Sequence, residues 1–267
     1  MKDTTVKFAV ITGASKGIGF SVFRELTKRG WQVAGLSRTQ GNLPRENWIQ
    51  CDVTESESVR NALREALKKS EGRLDALILN AGMGIAGALE FTSEEDYRRQ
   101  IEVNLTGTAY CAREGAAVMR RNGGGKMIFI SSLAAIFPLP FQSFYSAGKA
   151  AVNALSDALG IELKPFGIRT CTVMLNDVRT EFTDNRIKNF GGDDIYMGRI
   201  EESVAKMEES ERKGMHPEKV ASAVCSLLRR KHMPSHKIVG AGNQILGILY
   251  RVLPADAMLW ILGKIYG

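Results

Sequence analysis

The sequence predicts a doubly wound α/β fold: a parallel sheet of about seven strands with helices on both faces. Three observations carry this. Short runs rich in Val, Ile, Leu and Phe alternate with longer stretches of helical periodicity. The first apolar run feeds a glycine-rich turn that opens a helix. Polar motifs such as Asn80-Ala81-Gly82 and Ser131-Ser132 stand where apolar runs end, which is where open parallel sheets collect their ligands.

In order, strands are predicted at 6–12, 31–37, 47–51, 74–79, 126–131, 168–175 and 236–240. Right-handed crossovers between them place the helices on both faces. Long helices are predicted over roughly 96–121 and 143–165, and Pro217 reads as the first-turn proline of a helix running to about Arg230. With 267 residues, 44% hydrophobic and 24% charged, and no Pro/Ser-rich linker, one domain spanning 1–267 is expected. The cysteines Cys51, Cys111, Cys171 and Cys225 are far apart and include no C-x-x-C pair, which argues against a disulfide framework or zinc site and for a reducing compartment. His216, His232 and His236 all fall late in the chain, so no metal site is expected. The net charge of +7 is spread over short groups such as Arg98-Arg99 and Arg120-Arg121 on helical stretches; solvated helix faces explain it better than nucleic-acid binding. No uninterrupted apolar run reaches the ~18 residues of a membrane span, and the N-terminus leads directly into the first strand. A cytoplasmic protein is expected.

The run Thr12-Gly13-Ala14-Ser15-Lys16-Gly17-Ile18-Gly19 lies between the first strand and the first helix. Its glycines let backbone N–H groups and the positive helix end approach a pyrophosphate, although the first gap is wider than in G-x-G-x-x-G. At the end of the second strand the sequence reads Leu36-Ser37-Arg38-Thr39, with no carboxylate to bind ribose hydroxyls. Arg38 and Lys16 instead supply two cations for a ribose 2′-phosphate, which predicts NADP(H) as cofactor. Tyr145 and Lys149 stand four residues apart on one helix, so the ammonium is expected beside the phenol, favouring its ionised form.

The opening glycines, Asn80-Ala81-Gly82, Asn104 in Val103-Asn104-Leu105, Ser131-Ser132 and Tyr145-Ser146-Ala147-Gly148-Lys149 follow one another in an order and spacing that resembles the short-chain dehydrogenase/reductase family in its compact, single-domain form. The resemblance covers about residues 6 to 240. It implies a Rossmann-type fold and hydride transfer between nicotinamide and a carbonyl or secondary alcohol. Tyr145 would be the general acid or base, Ser132 would orient the reacting oxygen, Lys149 would lower the phenol's pKa and hold the nicotinamide ribose, and Asn104 would carry a proton relay. Cofactor contacts are implied for Gly13, Ser15, Lys16, Gly17, Ile18, Gly19, Arg38, Asp52, Val53, Asn80, Ala81, Gly82, Tyr145, Lys149, Val178 and Thr180. The family's Pro-Gly after the sixth strand is replaced here by Leu175-Asn176, and the tolerance of Asn for left-handed backbone is expected to preserve that turn. The resemblance also implies a homodimer or homotetramer.

Residues 181–215 are long, charged and carry Gly191-Gly192, which suggests a mobile helical lid over the cleft. Phe137-Pro138-Leu139-Pro140-Phe141 and Met83 would line an apolar mouth. The tail, 241–267, is apolar at helical spacing, broken by Pro254, and resembles the ending of steroid- and retinoid-type members. It would close the pocket or pack between subunits, ahead of peripheral contact with a membrane surface. Together these features favour an apolar, hydroxysteroid-like carbonyl or alcohol as substrate. A 3-oxoacyl-carrier-protein reductase is the alternative that the positive charge suits, and a non-catalytic NADP(H)-binding redox sensor is the alternative of another class.

Overall fold

The computed structural model describes residues 6–266. Its strands are β1 (Phe8–Thr12), β2 (Gln32–Ser37), β3 (Trp48–Gln50), β4 (Ala76–Leu79), β5 (Ile85–Ala86), β6 (Gly125–Ser132), β7 (Ile168–Leu175), β8 (Ile187–Lys188) and β9 (His236–Ile238). Seven of them form one parallel sheet in the order β3-β2-β1-β4-β6-β7-β9, while β5 and β8 pair with each other. The seven correspond to the seven runs read from sequence. The pair β5 and β8, two residues each, is too short to leave a periodicity in the sequence.

The α-helices are α1 (Gly17–Lys28), α2 (Ser56–Lys68), α3 (Glu94–Ile101), α4 (Gly107–Arg121), α5 (Ser143–Glu162), α6 (Arg199–Arg212), α7 (Pro217–Arg229), α8 (Ala241–Val252) and α9 (Ala255–Tyr266). Pro217 opens α7 at its first turn, where its missing N–H costs nothing. The stretch 96–121, expected as one helix, is helical throughout but not α-helical throughout. Between α3 and α4, residues Glu102–Thr106 form a π-helical turn that carries Asn104.

Alternation along β1 shows how the layers arise. Phe8 and Val10 enter one core cluster, which α2, α4 and α5 complete with Val59, Leu63, Val118 and Val152. Ala9 and Ile11 enter the other, completed by Val22, Phe23 and Leu26 of α1 and by Val220, Val224 and Leu228 of α7. A strand covered on both faces must be apolar at every position, so β1 reads as a continuous run. The four cysteines are buried and free.

The tail folds back onto the body. Leu262, Met258 and Tyr266 of α9 pack with Leu133, Phe137 and Met174 in a satellite core, and the ring of Phe137 meets Tyr250 of α8 edge to face at 5.5 Å. The outer faces stay bare, with Val252 and Trp260 exposed at 74% and 66%. Among the described residues no helix is long and apolar enough to cross a membrane.

Candidate active site

The sheet order reverses between β1 and β4, and the carboxyl ends of the strands on either side carry the predicted motifs. Gly13 and Gly17 take positive φ of 64° and 56°, conformations that side chains other than glycine rarely adopt. Gly19 has no room for a side chain, since a Cβ there would stand 2.4 Å from the Gly13 carbonyl oxygen. Asn80 Nδ2 donates to the carbonyls of Thr12 and Gly13, both at 3.0 Å, while Thr12 Oγ1 accepts the backbone N–H groups of Asn80 and Ala81. These bonds tie the glycine loop to the end of β4. Thr12 was not singled out from sequence, because its function depends on a partner 68 residues away.

No side chain caps the start of α1, where Lys16 sits in extended backbone. The first N–H groups of the helix have no side-chain cap, and such a cradle fits a dinucleotide pyrophosphate. Ile18 follows in the first turn of α1, and Ser15 lends its carbonyl to the N–H of Asn42 at 2.9 Å. Lys16 and Arg38 are exposed, and Arg38 lines a depression with Asp52, Ser58 and Asn61. Asp52 Oδ1 accepts from the backbone N–H and hydroxyl of Thr54 at 3.0 and 2.8 Å. Val53 packs under Gly107, where a Cβ would come within 2.8 Å of its carbonyl oxygen.

Ser132, Tyr145, Lys149 and Asn104 converge from three elements. Ser132 closes β6 and caps the following turn, its hydroxyl accepting the Ala134 N–H at 3.0 Å. Lys149 Nζ donates to the Ile130 carbonyl at 3.0 Å and lies 5.8 Å from the Tyr145 ring centroid. Asn104 clasps the backbone of Met83 from both sides, accepting its N–H at 2.8 Å and donating to its carbonyl at 2.9 Å. Gly82 is wedged between them; a Cβ there would be 3.3 Å from Asn104 Oδ1 and 3.7 Å from Lys149 Nζ.

The electrostatics differ from the sequence expectation. Burial pushes the Tyr145 phenol up to about 12, against the pull of its Ser132 hydrogen bond, whereas the expected lysine effect was a lowered value. The phenol's own desolvation outweighs the pull of its surroundings, and Lys149 is desolvated as well, which brings its ammonium down to about 8. At neutral pH the phenol thus keeps its proton.

The turn after β7 also differs. Leu175 ends the strand opposite Ser132, but Asn176 is not left-handed: among the described residues, the non-glycine positions with positive φ are Glu71, Phe141 and Met197. Asn176 Nδ2 instead donates to Asp177 Oδ2 at 2.9 Å. Val178 bridges to Met215, and Thr180 stands against Gly17, at 3.4 Å from a Cβ built there. Phe141 and Tyr196 meet edge to face at 5.6 Å, and the Tyr196 hydroxyl donates to Glu90 at 2.7 Å. Residues 181–215 contribute not only helix α6 but also strand β8, which pairs with β5. Phe182, whose ring lies 5.9 Å from that of Tyr145, was another site neighbour that sequence spacing did not reveal.

Comparison with known proteins agrees with this geometry. The family model described as short chain dehydrogenase matches residues 7–190. A 3-ketodihydrosphingosine reductase of Bacteroides thetaiotaomicron is 39% identical over 240 residues, covering 89% of each chain. Human 17-beta-hydroxysteroid dehydrogenase type 1 is 32% identical over 66% of this chain and 58% of its own. The 3-oxoacyl-[acyl-carrier-protein] reductase MabA of Mycobacterium tuberculosis is 31% identical over 67% of this chain and 73% of its own. Among solved structures, a short-chain dehydrogenase from Streptomyces avermitilis superposes with a TM-score of 0.84 at 27% identity, covering 98% and 97% of the two chains. ElxO with NADP bound gives 0.74 at 25% identity, covering 90% and 100%. With the family model spanning more than half of its length and the seven-stranded parallel sheet in place, the chain belongs to the short-chain dehydrogenase family of oxidoreductases.

Proposed function

We propose that the protein is an NADP(H)-dependent reductase of a long-chain, lipid-like ketone, with Tyr145 as general acid. The observation that carries this is the convergence of Ser132 at the end of β6, Tyr145, and the buried Lys149, whose Nζ donates to the Ile130 carbonyl and lies 5.8 Å from the Tyr145 ring centroid. Gly13, Gly17 and Gly19 would cradle the pyrophosphate with Asn80 fixing their loop, and Lys16 and Arg38 would take the 2′-phosphate. Val178 and Thr180 would hold the carboxamide end, and Asp52 and Val53 the adenine. When bound, the reduced nicotinamide supplies the hydride. Tyr145 gives its proton to the developing alkoxide while Ser132 holds the reacting oxygen. Lys149, above the ring, stabilises the phenolate that remains, and Asn104, clamped to Met83, keeps the surrounding backbone in place for its reprotonation. A phenol that is protonated at neutral pH suits reduction better than oxidation.

Support for an apolar substrate comes from Leu133 and Phe137, which follow Ser132 in the chain and pack with the inner face of α9, and residues 181–215 would form the lid. The steroid-like substrate favoured from sequence has a relative of that activity behind it, but the relative of wider coverage and higher identity acts on 3-ketodihydrosphingosine. Likeness to MabA keeps carrier-bound 3-oxoacyl substrates as the second reading. The test is NADPH and NADH oxidation by the full chain against 3-ketodihydrosphingosine, keto-steroids and a ketoacyl thioester. Preference for the sphingoid ketone with NADPH is expected. Preference for the thioester or a steroid, or equal rates with NADH, would overturn the corresponding part of the proposal.

A further inference from the structure

Beside Tyr145 lies a charged cluster that proton transfer does not use. Arg186, only 4% exposed, holds its guanidinium over the ring of Phe182, 5.7 Å from the centroid, and Phe182 in turn faces the Tyr145 ring. One end of the guanidinium is paired with Glu211 of α6, which also accepts the Thr183 hydroxyl at 2.7 Å. Arg186 Nε and Nη1 are buried with no hydrogen-bond partner from the protein. Asp177, in the turn after β7, is engaged through Oδ2 by Ser210 at 2.6 Å and by Asn176 at 2.9 Å.

The two carboxylates and the guanidinium act on one another and on the phenols nearby. Burial raises the pKa of Asp177, Glu211 adds to the rise and Arg186 opposes it. Asp177 and Glu211 both act on Tyr266 of α9, while Glu211 and Arg186 both act on Tyr145. The cluster is thus assembled from the β7 turn, the segment before β8 and α6, and through Phe182 it neighbours the Tyr145 ring.

An ion pair that served only to fasten the segment before β8 to α6 would not need its arginine buried with two unused N–H groups, because an unpaired buried donor is costly. Nor would it need a second carboxylate beside the first, since like charges brought together out of water repel. With two acids against one base, the cluster suits a ligand that brings a positive charge for the carboxylates and an oxygen acceptor for the guanidinium.

We propose that Asp177, Glu211 and Arg186 form a headgroup subsite for an amino alcohol carried within a few bonds of the reacting carbonyl. The ammonium sits against Asp177 and Glu211, and the hydroxyl oxygen accepts from Arg186. This rests on the long-chain ketone reading above and narrows it to ketones with a free amine. The apolar chain then extends toward the Phe137 and Leu133 side.

The test compares 3-ketodihydrosphingosine with its N-acetyl derivative, which keeps the chain and carbonyl but loses the positive charge. Isosteric variants Asp177→Asn and Glu211→Gln are measured in parallel, so that one misfolded variant does not decide the outcome. The wild-type protein is expected to favour the free amine in kcat/KM by tenfold or more, and each folded variant to lose most of that ratio. A wild-type ratio near one, or a ratio that stays within twofold of wild type in both variants, would overturn the subsite. Calorimetric binding of dihydrosphingosine and N-acetyl-dihydrosphingosine to the NADP-loaded protein reads the subsite apart from turnover. Tighter binding of the free amine, weakened by Asp177→Asn, supports the subsite even if no ketone is reduced, an outcome that sinks only the reductase reading. Equal binding of the two overturns the subsite.

Discussion

Tyr145 and Lys149 illustrate how far single residues could be read. Their spacing on one helix is local, so a shared face followed from sequence, and α5 presents them that way. The sign of the phenol's shift was not legible, because desolvation depends on everything packed around a group and not on its helical neighbour. Arg186, Glu211 and Asp177 were not legible as a set either. Arg186 and Glu211 are 25 positions apart, and Asp177 and Ser210 33 apart, so only the fold brings them together. A pH prediction belongs at this scale. Lys149 must keep its proton to hold charge beside the phenol, and burial brings it to about 8. In ketone reduction, kcat/KM for NADPH, which reports groups of the free enzyme, is therefore expected to fall as pH rises through about 8. A profile flat from pH 7 to 10 would contradict this assignment.

At the scale of elements, central strands such as β1 and β4 were legible because burial on both faces makes each a continuous apolar run, while the edge strands β3 and β9 are only partly buried. The π-helical turn at Glu102–Thr106 was not legible, since one extra residue in a helix hardly alters a 3.6-residue pattern. Yet that turn carries Asn104, whose clasp on Met83 fixes the backbone between β4 and β5. The glycine loop is the element on which cofactor binding depends most sharply. In Gly19→Ala the new Cβ would stand 2.4 Å from the Gly13 carbonyl and 2.6 Å from Asn80 Nδ2. Both belong to the loop's own anchoring, and neither is the free end of a flexible side chain. NADPH affinity measured by fluorescence titration is expected to fall at least tenfold, about 1.4 kcal/mol. Unchanged affinity would mean that the loop relaxes at little cost.

Across the whole molecule, the parallel sheet and its helical layers follow from one alternation of strand and helix and were foreseeable from sequence, whereas that alternation does not fix the strand order. The placement of the tail was foreseeable only in part. Its apolar spacing implied burial, and Leu262, Met258 and Tyr266 do close over Leu133 and Phe137. The same spacing did not distinguish that inner face from the outer one, where Trp260 and Val252 are bare. What unites the scales is the placing of Tyr145, Lys149 and Ser132 together at the carboxyl end of a parallel sheet. The most direct measurement is therefore NADPH-dependent reduction of 3-ketodihydrosphingosine by the wild-type protein and by Tyr145→Phe, with NADPH binding measured on both. Loss of about 10²–10⁴-fold in kcat with NADPH affinity retained is the predicted result. Near-normal turnover by the phenylalanine variant would contradict the assignment of Tyr145 as the acid.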